Sequence, residues 1–329
     1  MFSVGLILVL IFILASEFVN GWTDSPNAIA TVVSTRVLKP KTAVVLATVC
    51  NIIGAFYGHE VAKTIGTGII KPEAISLVTV GSAMAGIITW STVAWYFGLP
   101  TSESHALVAG LAGAGLATAG PSVLLWAGWQ KVLIGLAFSS FLGLGGGFIL
   151  SWSIRKIFRN MRREKAKKIF GFLQIISAGS MALSHGSNDG QKFIGTFTLA
   201  LVLGGVLKEF QVQSWTILLC SIIMGIGTSI GGWRIIKTMG QKMARLETYQ
   251  GFAAESSAAG SIILASTLGI PLSTTHTINT SIMGVGAATR VSAVRWVVAK
   301  EMVTAWILTF PICGAIGYIM ASLIKLLFG

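Results

Sequence analysis

Long apolar runs separated by short polar stretches set the pattern of this chain. The first run, Met1–Ala15, carries no charge, and it leads into a polar island at Asn20–Ala30. A helix needs about 20 apolar residues to cross a bilayer, and this pattern gives ten candidate membrane segments. They are residues 2–37, 42–58, 75–98, 104–119, 132–154, 169–207, 214–232, 251–269, 277–289 and 297–327. Several are short or contain glycine and proline, which predicts re-entrant hairpins and about 10–12 membrane segments in all.

The polar island places an acidic residue, Asp24, at a depth that should lie in hydrocarbon. A carboxylate there is costly unless it is paired, coordinated or hydrated. Gly21 and Pro26 predict that the helix breaks at the same depth. A broken backbone inside a membrane is tolerated only where it lines a cavity or packs against protein. The island therefore predicts an interrupted helix and a binding site.

Composition supports a membrane protein. Of 329 residues, 53% are hydrophobic and 11% are charged, whereas a soluble domain carries about 25% charged residues. Eight of the 24 lysines and arginines lie between Arg155 and Lys168, which predicts a cytoplasmic loop by the positive-inside rule. Binding of nucleic acid or lipid headgroups is the less favoured explanation of this loop. We therefore expect no nucleic-acid partner despite the net charge of +13.

Two sequence motifs occur twice, in the same order. Asn20-Gly21-x-x-Asp24 aligns with His185-Gly186-x-x-Asp189 at an offset of 165 residues. Leu99-Pro100-Thr101-Ser102-Glu103-Ser104-His105 aligns with Ile270-Pro271-Leu272-Ser273-Thr274-Thr275-His276 at an offset of 171. Inverted repeats with interrupted helices in corresponding positions are typical of secondary transporters with a midplane site. The duplication predicts an all-α polytopic fold of two such repeats.

The repeats divide the chain into three parts. We predict a first transmembrane repeat at residues 1–154, a basic cytoplasmic loop at 155–168 and a second transmembrane repeat at 169–329. Five crossings in each half, an odd number, require the second half to enter the membrane with inverted orientation.

The first motif pair carries two carboxylates. Asp24 and Asp189 are predicted cation ligands at two helix breaks; capping of the following half-helix is the structural alternative. Asn27 and Asn188 supply neutral oxygens nearby. Lys192, at the place equivalent to Asn27, either holds an anion or pairs with Asp189, and the sequence does not rank the two.

The second motif pair places hydroxyls where a helix starts after proline. Helix N-termini present unpaired N–H groups and a partial positive charge, which together favour anions. Ordinary N-capping by serine and threonine is the alternative. The candidate anion ligands are Ser102, Ser104, Ser273, Thr274 and Thr275.

Other polar residues inside apolar segments are further candidates. Glu255 is either a carboxylate near the interface or a cation ligand, and Asn51 is a similar intrusion with weaker support. His105 and His276 are two of four histidines, with structural hydrogen bonding at least as favoured as proton handling. Glu103 adds a carboxylate to the first hairpin.

At these residues the chain resembles the PiT family of inorganic phosphate transporters, of the bacterial or archaeal type. Asp24-x-x-Asn27-Ala28-Ile29-Ala30-Thr31 is similar to the first family signature, and Gly186-Ser187-Asn188-Asp189-Gly190-Gln191-Lys192 to the second. The paired hairpin motifs and Gly251-Phe252-Ala253-Ala254-Glu255 also resemble family segments. The resemblance covers essentially the whole chain.

The resemblance implies phosphate uptake by cation symport in the inner (plasma) membrane. The coupling ion is Na⁺ or H⁺, with Na⁺ at Asp24 and Asp189, and no other cofactor is expected. Asn51, where animal members carry glutamate, and Glu103 are departures that leave the ion and its stoichiometry open. A homodimer is compatible with the resemblance.

The predicted roles follow from these two lines of reasoning. The phosphate ligands are Ser102, Ser104, Ser273, Thr274, Thr275, Asn27 and Lys192; the cation ligands are Asp24, Asp189, Asn188, Glu255 and Asn51; His105, His276 and Glu103 are coupling or gating residues. The main alternative is a sulfate or other oxyanion permease of the same fold. An enzyme is disfavoured because no motif pairs a nucleophile with a base. A channel is disfavoured because duplicated polar hairpins suggest an occluding site.

Overall fold

The computed structural model describes residues 3–328, which fold almost entirely into helices. The α-helices are α1 Val4–Ser34, α2 Pro40–Ala55, α3 Glu60–Lys63, α4 Leu77–Phe97, α5 Glu103–Ala119, α6 Trp126–Ile157, α7 Arg163–His185, α8 Gln191–Leu203, α9 Ser214–Ile230, α10 Trp233–Lys237, α11 Thr248–Thr267, α12 Thr274–Thr289 and α13 Trp296–Phe328. Short π-helical segments follow α3, α7 and α10 at Thr64–Gly68, Gly186–Gly190 and Thr238–Met243. The prediction of an all-α fold is confirmed. The outer limits of the two predicted repeats, at residues 1 and 329, lie outside the described residues.

The helices that can span a membrane are fewer than the predicted segments. Within residues 3–328, five helices are long and apolar enough to cross, α4 among them, and each of two bent pairs, α2 with α3 and α9 with α10, can add one span. Helices α5 and α12, with 17 and 16 residues, reach only about 25 Å at 1.5 Å per residue. Such helices are too short to cross a hydrocarbon core of about 30 Å. They form instead the second arms of re-entrant hairpins.

The predicted helix break in the polar island is wrong. Helix α1 runs without interruption for 31 residues, with Pro26 inside it. Proline removes the hydrogen bond that residue 26 would give to the carbonyl of Trp22. The Ser25 hydroxyl donates to that carbonyl at 3.3 Å instead, so the acceptor keeps a partner and the helix continues.

The helices are interrupted elsewhere. The axis bends by 69° between α2 and α3 and by 59° between α9 and α10. Gly58 and Gly231 lie at these bends with φ of +78° and +71°, a backbone region that glycine enters without steric cost. Helices α7 and α8, joined by the π-helical segment, form one span of 41 residues.

The duplicated glycines of the first motif permit close helix contact. A Cβ at Gly21 would overlap the carbonyl oxygen of Met224 on α9, and a Cβ at Gly186 would overlap that of Asn51 on α2. Gly21 and Gly186 therefore occupy corresponding positions and have the same packing role.

We expect Gly186→Ala to destabilise the protein and Gly179→Ala not to. Forcing atoms into a packed interior costs about 1–3 kcal/mol, and at Gly186 the obstacle is main chain that cannot rotate away. Near Gly179, on the same span, the closest atoms to an added Cβ are side-chain atoms at 3.7 and 3.8 Å. Thermal unfolding of the two variants in detergent tests this; equal midpoints would contradict it.

The re-entrant hairpins are α4–α5 and α11–α12, and they enter from opposite ends. Helix α4 is long enough to cross, but the chain turns at Gly98 and returns through the short α5. The arms of the first are joined at the base by Thr79 and Thr118, whose hydroxyls lie 3.0 Å apart. In the second, the Gln250 side-chain amide donates to the Thr289 hydroxyl at 3.0 Å. Helix α6, about 48 Å long, starts near the base of the first hairpin and ends near the base of the second.

The basic segments collect at the end where α6 finishes. One cavity of about 540 Å³ is lined by Thr35, Arg155, Arg163, Lys167 and Tyr249, among others. A neighbouring cavity of about 440 Å³ is lined by Lys242, Arg245, Arg290 and Arg295, among others. The central loop and these other basic residues thus lie at the same end of the protein.

The hairpin tips meet in the interior. The Ser104 hydroxyl at the start of α5 donates to the carbonyl of Leu272, just before α12, at 3.2 Å. Each hairpin's short arm packs on the long final helix of the other half, α5 on α13 and α12 on α6. Because each short arm packs against a helix of the other half, both tips lie beside α1 and the α7–α8 span.

Candidate functional site

Helix α1 carries a buried polar stripe. Glu17, Asn20, Asp24, Asn27 and Thr31 are spaced alternately three and four residues apart, which places them on one helix face. All five are at most 2% exposed. A row of polar side chains through the centre of an apolar protein has a functional role by default.

A second polar group faces this stripe from the α7–α8 span. The His185 Nε2 atom lies 3.3 Å from Asp189 Oδ2 and 3.9 Å from Asp24 Oδ2. One ligand atom from each of these three residues lies within 4.8 Å of the others, a geometry that suits a bound cation. Asp24 lies inside α1 and Asp189 inside the π-helical segment. Neither caps a half-helix. The predicted break at Asp24 is wrong, whereas at Asp189 a π-helical segment interrupts the α-helix between α7 and α8, and the two carboxylates do come together.

Lys192 is paired with Asp189. Its ammonium donates to Asp189 Oδ1 and to the Ser104 hydroxyl, and to the Leu272 carbonyl at 2.8 Å. The side chain is 1% exposed. Of the two roles left open by the sequence, the structure shows the ion pair.

Three of the predicted anion ligands touch the carboxylates directly. The Thr274 hydroxyl donates to Asp189 Oδ2 at 2.5 Å, and the Thr275 hydroxyl donates to Asp24 Oδ1 at 3.1 Å. Ser104 lies 3.5 Å from Asp189 Oδ1. The amide of Asn27 donates to Thr275 Oγ1 at 3.0 Å. The predicted phosphate and cation ligands thus share one buried cluster.

The two remaining hairpin serines are N-caps. Ser102 Oγ accepts from the His105 amide at 3.3 Å, and Ser273 Oγ accepts from the His276 amide at 3.2 Å. The capping alternative therefore describes these two residues. The caps leave the N–H groups of the first two residues of α5 and of α12 without an acceptor in their own helix.

Glu103 lies beside the cluster rather than in it. Thr23 donates to its Oε1 at 2.9 Å and Ser91 donates to its Oε2 at 2.7 Å. The side chain is 1% exposed and joins α1, α4 and α5. Its contacts fix the first hairpin against α1.

Glu255 stands apart from Asp24, toward the basic end. Its carboxylate accepts from Thr31 and Ser177 and from Gln174 at 3.3 Å. The structure therefore gives Glu255 a separate environment at the end of the α1 stripe, away from the Asp24–Asp189 pair.

Two predicted cation ligands make other contacts. Asn51 Oδ1 lies 3.1 Å from His185 Nδ1, so Asn51 orients the imidazole rather than touching either carboxylate. The Asn188 amide donates to Ser266 at 2.8 Å, which points it toward α11.

The hairpin histidines form an aromatic cluster away from the carboxylates. The rings of His105 and His276 lie 4.6 Å apart, and His276 stacks on Trp306 at 3.9 Å. Phe310 covers His105 at 4.9 Å. Their contacts connect both tips to α13.

His185 is the site residue that the sequence prediction omits. It is the first residue of the duplicated motif, at the place equivalent to Asn20. The alignment of His185 with Asn20 could have identified it, because equivalent positions in two repeats face the same central space.

Comparisons with known proteins agree with this architecture. A model described as the phosphate transporter family matches residues 20–317. A relative from Rhizobium meliloti, described as a probable low-affinity inorganic phosphate transporter, is 43% identical over 98% of this chain and 97% of its own length. A protein of the same description from Bacillus subtilis is 39% identical over 98% of both chains. A solved structure described as the sodium-dependent phosphate transporter has a TM-score of 0.85 at 23% identity, covering 99% of this chain and 100% of its own, and it shows the shared fold.

Proposed function

This chain belongs to the phosphate transporter family, and from that premise we propose that it imports inorganic phosphate together with a cation. The observation that carries the proposal is the buried Asp24–His185–Asp189 group, which hydroxyls from the second hairpin tip contact directly. The protein is a multi-pass membrane protein of the plasma membrane, and the coupling ion is Na⁺ or H⁺.

Electrostatics requires the cation. At 4 Å and an effective dielectric constant near 20, each pair of like unit charges costs about 4 kcal/mol. Asp24 therefore repels a phosphate held between the hairpin tips, whereas the charge of Asp189 is balanced by the Lys192 ammonium. A cation between carboxylate and phosphate attracts both, so cation and anion stabilise each other in the site. Transport of one then depends on the other.

The hairpins supply the anion ligands. First-turn N–H groups of α5 and α12 present donors without a full charge. The hydroxyls of Ser104, Thr274 and Thr275 donate to Leu272, Asp189 and Asp24 in this structure, and they join the anion ligands when they turn toward a bound phosphate. Alternating access follows if one predicted repeat rocks against the other around this junction. We propose no resident cofactor and no enzymatic reaction, since the relatives are described as transporters.

Uptake of labelled phosphate by the purified protein in liposomes tests this function. Imposing a Na⁺ gradient and a pH gradient separately identifies the coupling ion, and protein-free liposomes give the background. We expect one of the two gradients to drive accumulation. Uptake that ignores both gradients would refute symport, and stronger competition by sulfate than by unlabelled phosphate would identify a sulfate permease.

A further inference from the structure

We propose that the Lys192 ammonium is a built-in cation that replaces a transported cation in the second repeat. Only the half of the site on α1 then binds the coupling cation. The inference rests on the proposed function. It adds that the protein binds one coupling cation fewer than two equivalent half-sites would bind.

The repeat register identifies the replacement. At the offset that aligns Asp24 with Asp189, Asn27 aligns with Lys192. The two halves thus carry the same carboxylate, followed three residues later by a neutral amide in one and an ammonium in the other. The two halves of the site therefore share the carboxylate, but only the second half also carries a positive charge.

The surroundings of the ammonium are those of a bound cation. Its three contacts are a carboxylate oxygen of Asp189, the hydroxyl oxygen of Ser104 and the main-chain carbonyl of Leu272. An ammonium has three N–H donors, and each has an oxygen acceptor here. Carboxylate, hydroxyl and carbonyl oxygens are also the ligands that hard metal cations prefer. Ser104 and Leu272 belong to different hairpin tips, so the ammonium joins both tips to α8.

Several buried oxygens on α1, in contrast, have no hydrogen-bond donor. Asp24 Oδ2 and Asn27 Oδ1 are buried without a hydrogen-bond donor, as are Asn20 Oδ1 and Glu17 Oε1. Both oxygens of Asp189, by contrast, accept hydrogen bonds. Buried acceptors without a partner are costly, and a cation beside α1 would satisfy several of them together. Asn188 Oδ1 and Gln191 Oε1 of the second half also lack a donor, so the asymmetry belongs to the aligned pairs Asp24–Asp189 and Asn27–Lys192, where it matches the asymmetry of charge.

Lys192→Asn tests the inference, because it gives the second repeat the residue of the first. We expect this variant to gain a cation site. Its thermal midpoint in detergent should respond to the coupling cation more strongly than that of the unsubstituted protein: to NaCl relative to choline chloride if the cation is Na⁺, and to pH if it is H⁺. In liposomes, the initial rate of phosphate uptake should depend on the coupling-cation concentration with a kinetic order that is higher by one. Lys63→Asn, which removes an exposed lysine, is the matched control and should change neither.

The reciprocal variant Asn27→Lys keeps the inference testable if Lys192→Asn does not fold. Asn27→Lys places an ammonium beside Asp24 and should abolish the cation-dependent stabilisation of the protein. A folded Lys192→Asn protein whose midpoint responds to the coupling cation like the unsubstituted one would overturn the inference, as would an Asn27→Lys protein that keeps its cation response. Because midpoints report binding without transport, they separate this result from a failure of the phosphate uptake assay.

Discussion

Replacing Asp24 by asparagine is expected to abolish cation-driven phosphate uptake while the protein remains folded. Asp24 is the carboxylate without an ammonium partner, and its Oδ2 faces His185 at 3.9 Å. The attraction between one carboxylate and one cation 4 Å apart is about 4 kcal/mol at an effective dielectric constant near 20. The substitution removes this amount from the binding free energy of the cation. Since about 1.4 kcal/mol is a tenfold change in affinity, we expect the cation to bind about 100- to 1,000-fold more weakly.

The measurement is initial uptake in liposomes over a range of cation concentrations. Asparagine keeps the size of the side chain and can still accept from Thr275, so folding is expected to survive. Glu73→Gln removes an exposed carboxylate and serves as the matched control. Uptake by Asp24→Asn with an unchanged cation dependence would remove Asp24 from the coupling mechanism.

Replacing Asp189 by alanine is expected to destabilise the fold more than either Gly186→Ala or Asp24→Asn. The change leaves the Lys192 ammonium buried at 1% exposure with hydroxyl and carbonyl contacts but no counter-charge. Breaking a buried ion pair in this way costs about 3–5 kcal/mol. The expected result is a large fall in the thermal midpoint and loss of phosphate uptake.

A double-mutant cycle separates the ion pair from the remainder of the site. Asp189→Ala with Lys192→Met removes both charges, and we expect it to recover most of the lost stability without recovering uptake. Midpoints of the two single variants and the double variant in detergent give the coupling energy. If the double variant is no more stable than Asp189→Ala, the buried pair is not the source of the effect.

The residue types of the site were readable from the chain because of two strong constraints. Charges are so costly in hydrocarbon that each one inside an apolar run indicates a site, which identified Asp24, Asp189 and Lys192. The duplication then paired the motifs and predicted that their hairpins meet. Ser104, Thr274 and Thr275 lie at that meeting point, as the pattern indicates.

Local rules failed at Pro26 and at Glu255. Pro26 predicts a break, but Ser25 gives the Trp22 carbonyl a replacement donor and α9 packs closely on Gly21. Glu255 and Asp24 look equivalent as buried acids, yet Glu255 is held by Gln174 and Ser177. Those contacts join residues about 80 positions apart, and no spacing rule along a helix specifies them.

The sequence by itself determined the membrane class, the internal duplication and the identity of the buried charges, because apolar run length, motif repetition and the presence of a charge inside an apolar run can all be read from the order of the residues. Only the tertiary structure decided which charge has which partner. The Lys192 ammonium is within reach of Asp189 one helical turn away, but the hydroxyl of Ser104 and the carbonyl of Leu272 complete its contacts only when the two hairpin tips meet. That packing, which brings together oxygens from three separate segments, also leaves Asp24 as the carboxylate open to a mobile cation.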